Sequence, residues 1–182
     1  MAESERREAT VDEVRALAHP LRQRILRLCL DEELTNKQLA ERLAADPGTV
    51  IYHVRKLVAT GFLAAGDFRR GVRGALEKPY RATGKSWSID IGEAGARLAT
   101  LPLVDALRAE IVEAGDEAPE QIIRLGLTLD EVSREELVER LGHLAEEFKG
   151  RKPAGAAKPY GLFLALHRRA WPAVPDDKRR SR

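Results

Sequence analysis

The chain of 182 residues is predicted to fold as α+β, and three patterns carry that expectation. Residues 35–58, TNKQLAERLAADPGTVIYHVRKLV, read as two short helices joined by a tight turn. A hairpin rich in glycine and arginine comes directly after them. Beyond residue 119, an alternating apolar segment, a helical stripe and a second apolar run read as strand, helix and strand.

Taken in order, a first helix is expected over about Val11–Leu17, with Val14 and Leu17 inward, ending near His19-Pro20. The next starts at Pro20 and buries Leu21, Ile25, Leu28 and Cys29 on one stripe. His19 stands just before that start, where capping or packing suits it better than ligation. Thr35 with Gln38 has the spacing of a capping box, so a helix is expected from Asn36, with Leu39, Ala40 and Leu43 on its apolar side. Asp46-Pro47 marks another start: aspartate accepts backbone hydrogen bonds as an N-cap, and proline at the first helical position gives up no N–H that the helix needs.

At about 100° per residue from Pro47, Val50, Val54, Leu57 and Val58 form one stripe, and Thr49, Tyr52, His53, Lys56 and Thr60 another. The second stripe is expected to face outward, and its hydroxyls, imidazole and ammonium suit base edges and phosphates in a major groove. A merely solvated helix face would carry the same kinds of residue. The next segment of the chain separates the two. After Gly61, FLAA leads into GDFRRGVRGALEKPYRAT, two strands at roughly Phe62–Phe68 and Leu76–Ala82 around a tip with Arg69, Arg70 and Arg73. Lys78-Pro79 is expected to make the second of them an edge strand, since proline has no ladder N–H. A basic hairpin directly after a helix-turn-helix is the layout of a winged helix.

Residues His19 to Thr83 carry a family resemblance. The run LAHPLRQRILRLCLDEELTNKQLAERLAADPGTVIYHVRKLVATGFL resembles the DNA-binding segment of ArsR-type winged-helix transcriptional regulators, in which LA-x-P-x-R-x-x-IL precedes the helix pair and TV-x-x-H-L-x-x-L fills the recognition helix. Two departures stand out. Thr35 and Lys37 follow Leu34 where metal-sensing members carry paired cysteines, which argues against a thiolate metal sensor, and Val54 replaces the usual leucine. The resemblance implies duplex-DNA contacts from Thr35, Lys37, Gly48, Thr49, Tyr52, His53, Arg55 and Lys56, joined by the wing arginines Arg69, Arg70 and Arg73.

The formal charge of +2 hides a division. Residues 1–85 hold 16 Lys/Arg against 12 Asp/Glu, a balance of +4; residues 86–149 hold 6 against 15, or −9; residues 150–182 hold 9 against 2, or +7. Nucleic acid is therefore expected on the first segment, and the acidic middle makes a poor surface for it. No stretch approaches the roughly 18 apolar residues of a spanning helix, and MAESERREAT lacks the apolar segment of a signal peptide, so a cytoplasmic protein with no membrane partner is expected. The single cysteine, Cys29, lies in an apolar helix and reads as a buried structural thiol.

Beyond Gly84, SWSIDI reads as a strand or linker, with Trp87 as an anchor. A helix is expected to start at Pro102, with Leu103, Leu107 and Ile111 on one face and Val104 beside them; in regulators similar to this chain, helices at this position often pair two subunits. Ile123, Leu125, Leu127 and Leu129 alternate with polar residues and glycine as in a half-buried strand. Ser133 with Glu136 reads as a capping box for a helix carrying Leu137, Leu141, Leu144 and Phe148, and YGLFLALH reads as a central strand. The expected division is a winged-helix domain at 1–85, a small α+β dimerisation or effector domain at 86–172, and a basic tail at 173–182.

No phosphate loop, nucleophile triad or metal-ligand cluster is present in the sequence, so neither catalysis nor a cofactor or metal is expected. The functional expectation is a DNA-binding transcriptional regulator: a homodimeric repressor that binds a palindromic operator through the helix from Pro47 to Thr60 and a basic wing, with a small-molecule effector as a further candidate partner. A winged helix used for protein contact, or a ligand-binding domain that merely carries the helix-turn-helix, is the alternative.

Overall fold

The computed structural model describes residues 6–71, 74–115, 121–152 and 154–168. The chain divides into two compact units, 1–152 and 153–182. The first unit opens with a short strand β1 (Arg7–Glu8) and helix α1 (Val11–Leu17). Thr10 caps α1 in a capping box, accepting from the Glu13 N–H while the Glu13 carboxylate accepts from the Thr10 N–H at 2.7 Å.

Helix α2 (Pro20–Asp31) starts behind His19, whose Nδ1 accepts from the Leu21 N–H at 3.2 Å. A two-residue strand β2 (Leu34–Thr35) leads into α3 (Asn36–Arg42), closed by the Thr35 and Gln38 capping box. A tight turn passes through Ala44, at φ 48°, into α4 (Pro47–Ala59), where Asp46 Oδ1 accepts from the Thr49 N–H at 2.8 Å. The caps expected at His19, Thr35 and Asp46 are thus formed, and Thr10 adds one at α1.

The end of α4 is fixed as firmly. Gly61, at φ 74°, donates to the Val58 carbonyl, and Phe62 donates to that of Leu57 at 2.9 Å. This pair of bonds is a Schellman motif, and its apolar clasp is Phe62 on Leu57, both fully buried. Together with Ile25, Cys29, Leu34, Leu39, Val50, Val54 and Leu63, they form one continuous core.

The hairpin after α4 comes as two ladders where the sequence suggests one. Strands β3 (Leu63–Ala65) and β6 (Pro79–Ala82) pair antiparallel, Leu63 opposite Ala82, and β2 adds to the other side of β6, Leu34 opposite Tyr80. Farther out, β4 (Arg69–Arg70) pairs with β5 (Leu76–Glu77). The expected edge position of Pro79 is corrected: β6 is the central strand of three. Proline is tolerated there because it is the first residue of the strand, where its carbonyl still accepts from the Gly66 N–H at 2.9 Å.

A short 3-10 turn (Lys85–Trp87) and strand β7 (Ile89–Asp90), parallel to β1, lead to α5 (Gly92–Ala114). This helix begins ten residues before the expected Pro102, which lies inside it. It packs across α1 and α2 through the small residues Gly95, Ala99 and Ala106. Glycine at 95 suits that approach, since a Cβ there would stand 3.0 Å from the Ile91 Cβ and 3.1 Å from a Val14 methyl. Glu13, 6% exposed, ties this side together: its carboxylate takes Arg7 at 2.7 Å and Lys85 at 2.6 Å. Those two cations and the Thr10 N–H hold its pKa far below the usual carboxylate range.

Helix α6 (Glu131–Lys149) forms where expected, but its N-cap is Asp130, which accepts from the Ser133 N–H at 2.8 Å, and not Ser133. The two flanking strands are corrected. Residues 121–130 and 160–168 carry no ladder, and Ile123 and Leu125 are each 72% exposed. Alternation gives a segment one apolar face, but a strand also needs a partner for its backbone, and none pairs with these segments among the described residues. The overall class is α+β, with an N-terminal winged helix-turn-helix.

Candidate nucleic-acid interface

The helix pair is held at fixed geometry by more than its apolar core. The Asn36 side chain, at the start of α3, donates to the Pro47 carbonyl at the start of α4 at 3.0 Å. That bond links the two N-termini, and together with the turn at Ala44 it presents one face of α4 to the outside.

On that face Gly48, Thr49, Tyr52, Arg55 and Lys56 are exposed, Tyr52 at 55%. The Lys56 ammonium lies 5.9 Å from the centre of the Tyr52 ring, so phenol and cation stand together. Lys37 is exposed on α3 and pairs loosely with Glu41, one turn on, at 3.9 Å. Arg69 and Arg70 are exposed on β4, out along the wing. Arg73 lies outside the described residues.

Two of the expected contacts face the wrong way. Thr35 is 3% exposed, and its hydroxyl is committed to the Gln38 N–H as the cap of α3. His53 is 6% exposed. The signal for its burial was present: Val50, His53, Val54 and Leu57 stand at i, i+3, i+4 and i+7, one helical face, and only the polarity of imidazole suggested otherwise. Thr60 is likewise turned back on the helix, donating to the Lys56 carbonyl at 2.8 Å.

His53 meets the His19 ring at a centroid distance of 4.3 Å, and its Nδ1 stands 3.4 Å from Arg22 Nη1. Burial first, then the proximity of His19 and Arg22, pushes the His53 pKa from 6.5 down to about 4. The Arg22 guanidinium is anchored on the end of α1, donating to the Ala16 and Arg15 carbonyls at 2.5 and 2.6 Å.

Beside this cluster a cleft of about 630 Å³ opens between α1 and the second half of α4, lined by Arg15, Arg22, Tyr52, Lys56 and Lys85 among others. Two of these cations are already committed, Arg22 to α1 and Lys85 to Glu13 and the Thr60 carbonyl. Cys29 is fully buried, and burial pushes its thiol up to about 12, so it stays protonated. Among the described residues no three His, Cys, Asp or Glu side chains are grouped to hold a metal ion. No helix among them is long and apolar enough to cross a membrane.

Known proteins bear on the same segment. No curated protein matches the chain. Among solved structures, reduced HlyU from Vibrio cholerae is 22% identical, covering 52% of this chain and 85% of its own, with a TM-score of 0.33. A cysteine-to-serine mutant of ZitR from Lactococcus lactis is 18% identical over 79% of this chain and 81% of its own, with a TM-score of 0.32. The adhesin competence repressor AdcR from Streptococcus pyogenes is 18% identical over 74% and 80%, also at 0.32. At these TM-scores the fold is judged on the helix pair itself. Residues 17–64 match a family model described as a helix-turn-helix domain, and they span α2, β2, α3, α4 and the start of β3.

Proposed function

We propose that the chain is a DNA-binding transcriptional regulator, a homodimeric repressor of a palindromic operator. The observation that carries this reading is the outward face of α4, where Thr49, Tyr52, Arg55 and Lys56 are exposed together on a helix capped at both ends. Docked in a major groove, those side chains reach base edges and phosphates, Lys37 reaches the backbone from α3, and Arg69, Arg70 and Arg73 follow the flanking phosphates or the minor groove. The surplus of positive charge in residues 1–85 supports the same assignment.

Residues 86–172 then serve dimerisation or effector sensing, and residues 173–182 add a basic tail. Leu98, Leu101, Val104 and Val112 are exposed along α5, apolar surface that a second copy would cover. The protein acts in the cytoplasm, is not an enzyme, and answers to a small-molecule effector.

Duplex-DNA affinity measured against salt tests the reading. Affinity should fall steeply as salt rises, and replacing Arg69, Arg70 and Arg73 with alanine should lower the slope by about 0.9 per lost phosphate contact. Binding that is weak, blind to sequence and indifferent to those arginines would transfer the exposed face to a protein partner.

A further inference from the structure

The pairing of His53 with His19 and Arg22 joins three elements at one point. His19 caps α2, Arg22 holds the last carbonyls of α1, and His53 belongs to α4. Their chemistry fixes both rings in one form. The guanidinium has only donors, so the His53 nitrogen facing it must carry a lone pair; the Leu21 N–H makes the same demand on His19 Nδ1. Both imidazoles are therefore neutral, with the proton on Nε2, and α4 is linked by the guanidinium to carbonyls that do not move with it.

We propose that His53 is a positioning residue for DNA recognition: the His19–Arg22–His53 cluster sets how α4 presents Thr49, Tyr52 and Lys56, and His53 itself does not touch DNA. The proposal rests on the DNA-binding reading above. Val50, Val54 and Leu57 fix α4 by shape within the core, and His53 adds to them a polar contact with a preferred direction. Arg22 is itself held by two carbonyls, at 2.5 and 2.6 Å, so its contact with His53 at 3.4 Å ties the orientation of α4 to the end of α1. The Tyr52 ring meets the His53 ring edge-on at 5.2 Å, so a shift of His53 passes directly to an exposed residue of the reading face.

The test uses the full chain with His53→Leu, His53→Asn and His19→Asn. Leucine continues the apolar stripe but removes the acceptor; asparagine at 53 returns an acceptor near the position of Nδ1; asparagine at 19 keeps the N-cap and removes the ring. Duplex affinity, its salt slope, thermal melting and the amide shifts of Thr49, Tyr52 and Lys56 without DNA are measured for each.

His53→Leu and His19→Asn should each weaken duplex binding on the order of tenfold, with the salt slope unchanged and the three amides displaced. His53→Asn should recover most of the affinity. Nitrogen-15 shifts of the parent should report both rings as neutral Nε2–H tautomers. A parental affinity in His19→Asn, with loss only in the His53 variants, would make His53 a direct contact and overturn the proposal. So would undisplaced amides in His19→Asn, a result that stands even if His53→Leu fails to fold. If the parent binds no duplex at any salt, the function falls, and the amide displacements still decide the positioning role.

Discussion

Residues 10–90 and residues 121–168 carry equally regular apolar patterns, yet only the first pattern closes. In the winged helix each apolar stripe finds another within the same 80 residues, so Ile25, Leu34, Leu39, Val50, Val54, Leu57 and Phe62 are all at or below 1% exposure. In the later segments Ile123 and Leu125 of the alternating run, and Tyr160 and Leu162 of the second apolar run, stay between 64% and 75% exposed. Periodicity states which face of a segment is apolar; what covers that face is a separate question, answered by topology.

The largest contrast is expected from truncation. Phe62→Ala or Leu57→Ala should cost about 3–5 kcal/mol, since each leaves a cavity in a closed core. Leu125→Ala should stay within roughly 0.5 kcal/mol in a dilute monomer, because the side chain is already in water. Denaturant unfolding of the three variants checks this. A large cost at Leu125 that grows with protein concentration would mean that a second copy covers the segment.

The next effect depends on pH. His53 titrates near 4 when folded and near 6.5 when unfolded, so acid protonates the unfolded chain first. Its contribution to stability is fully present above about 6.5 and is lost as pH falls toward 4. Glu13, depressed in the fold by Arg7 and Lys85, adds a second loss below about 4.5. Unfolding free energies between pH 7.5 and 4 should decline in the parent and decline less steeply in His53→Asn, where His19, its pKa also lowered by burial, still titrates. An equally steep decline in that variant would assign the acid sensitivity elsewhere.

Smaller effects belong to the caps. Asp46→Ala and Thr35→Ala should each cost about 1 kcal/mol, because both oxygens satisfy an orphan N–H at a helix start built into the core. Asp130→Ala should cost less in global unfolding, since α6 buries no residue fully and can fray alone. Thermal melts together with amide exchange on α6 separate the local loss from the global one.

How far the sequence carried obeys the same division. His19, Thr35 and Asp46 announced α2 to α4 because capping is local chemistry, written within three residues. Strand partners and their order are not local. Nothing in Lys78-Pro79 says that β2 will pair on its far side and turn an edge strand into a central one. Pro102 misplaced the start of α5 because a proline that opens a helix and one inside it look alike when Gly92 and Gly95 precede them as apparent breakers. At the site, Lys37, Thr49, Tyr52, Arg55, Lys56, Arg69 and Arg70 proved exposed as their charge or polarity suggested. Thr35 and His53 did not, since a polar group is buried whenever a partner waits for it, and the partners Gln38 and Arg22 belong to the fold.

Discrimination by Tyr52 tests the central claim most directly, because Tyr52 lies outside the core and its ring faces solvent beside Lys56. Once genomic footprinting has supplied a bound site, the affinities of the parent and of Tyr52→Ala for that duplex and for a scrambled one are compared at fixed salt. Tyr52→Ala is expected to keep its fold and its affinity for scrambled DNA, and to lose about 1–3 kcal/mol of preference for the true site. A variant that prefers the true site as strongly as the parent does would contradict the assignment of α4 as the element that reads DNA.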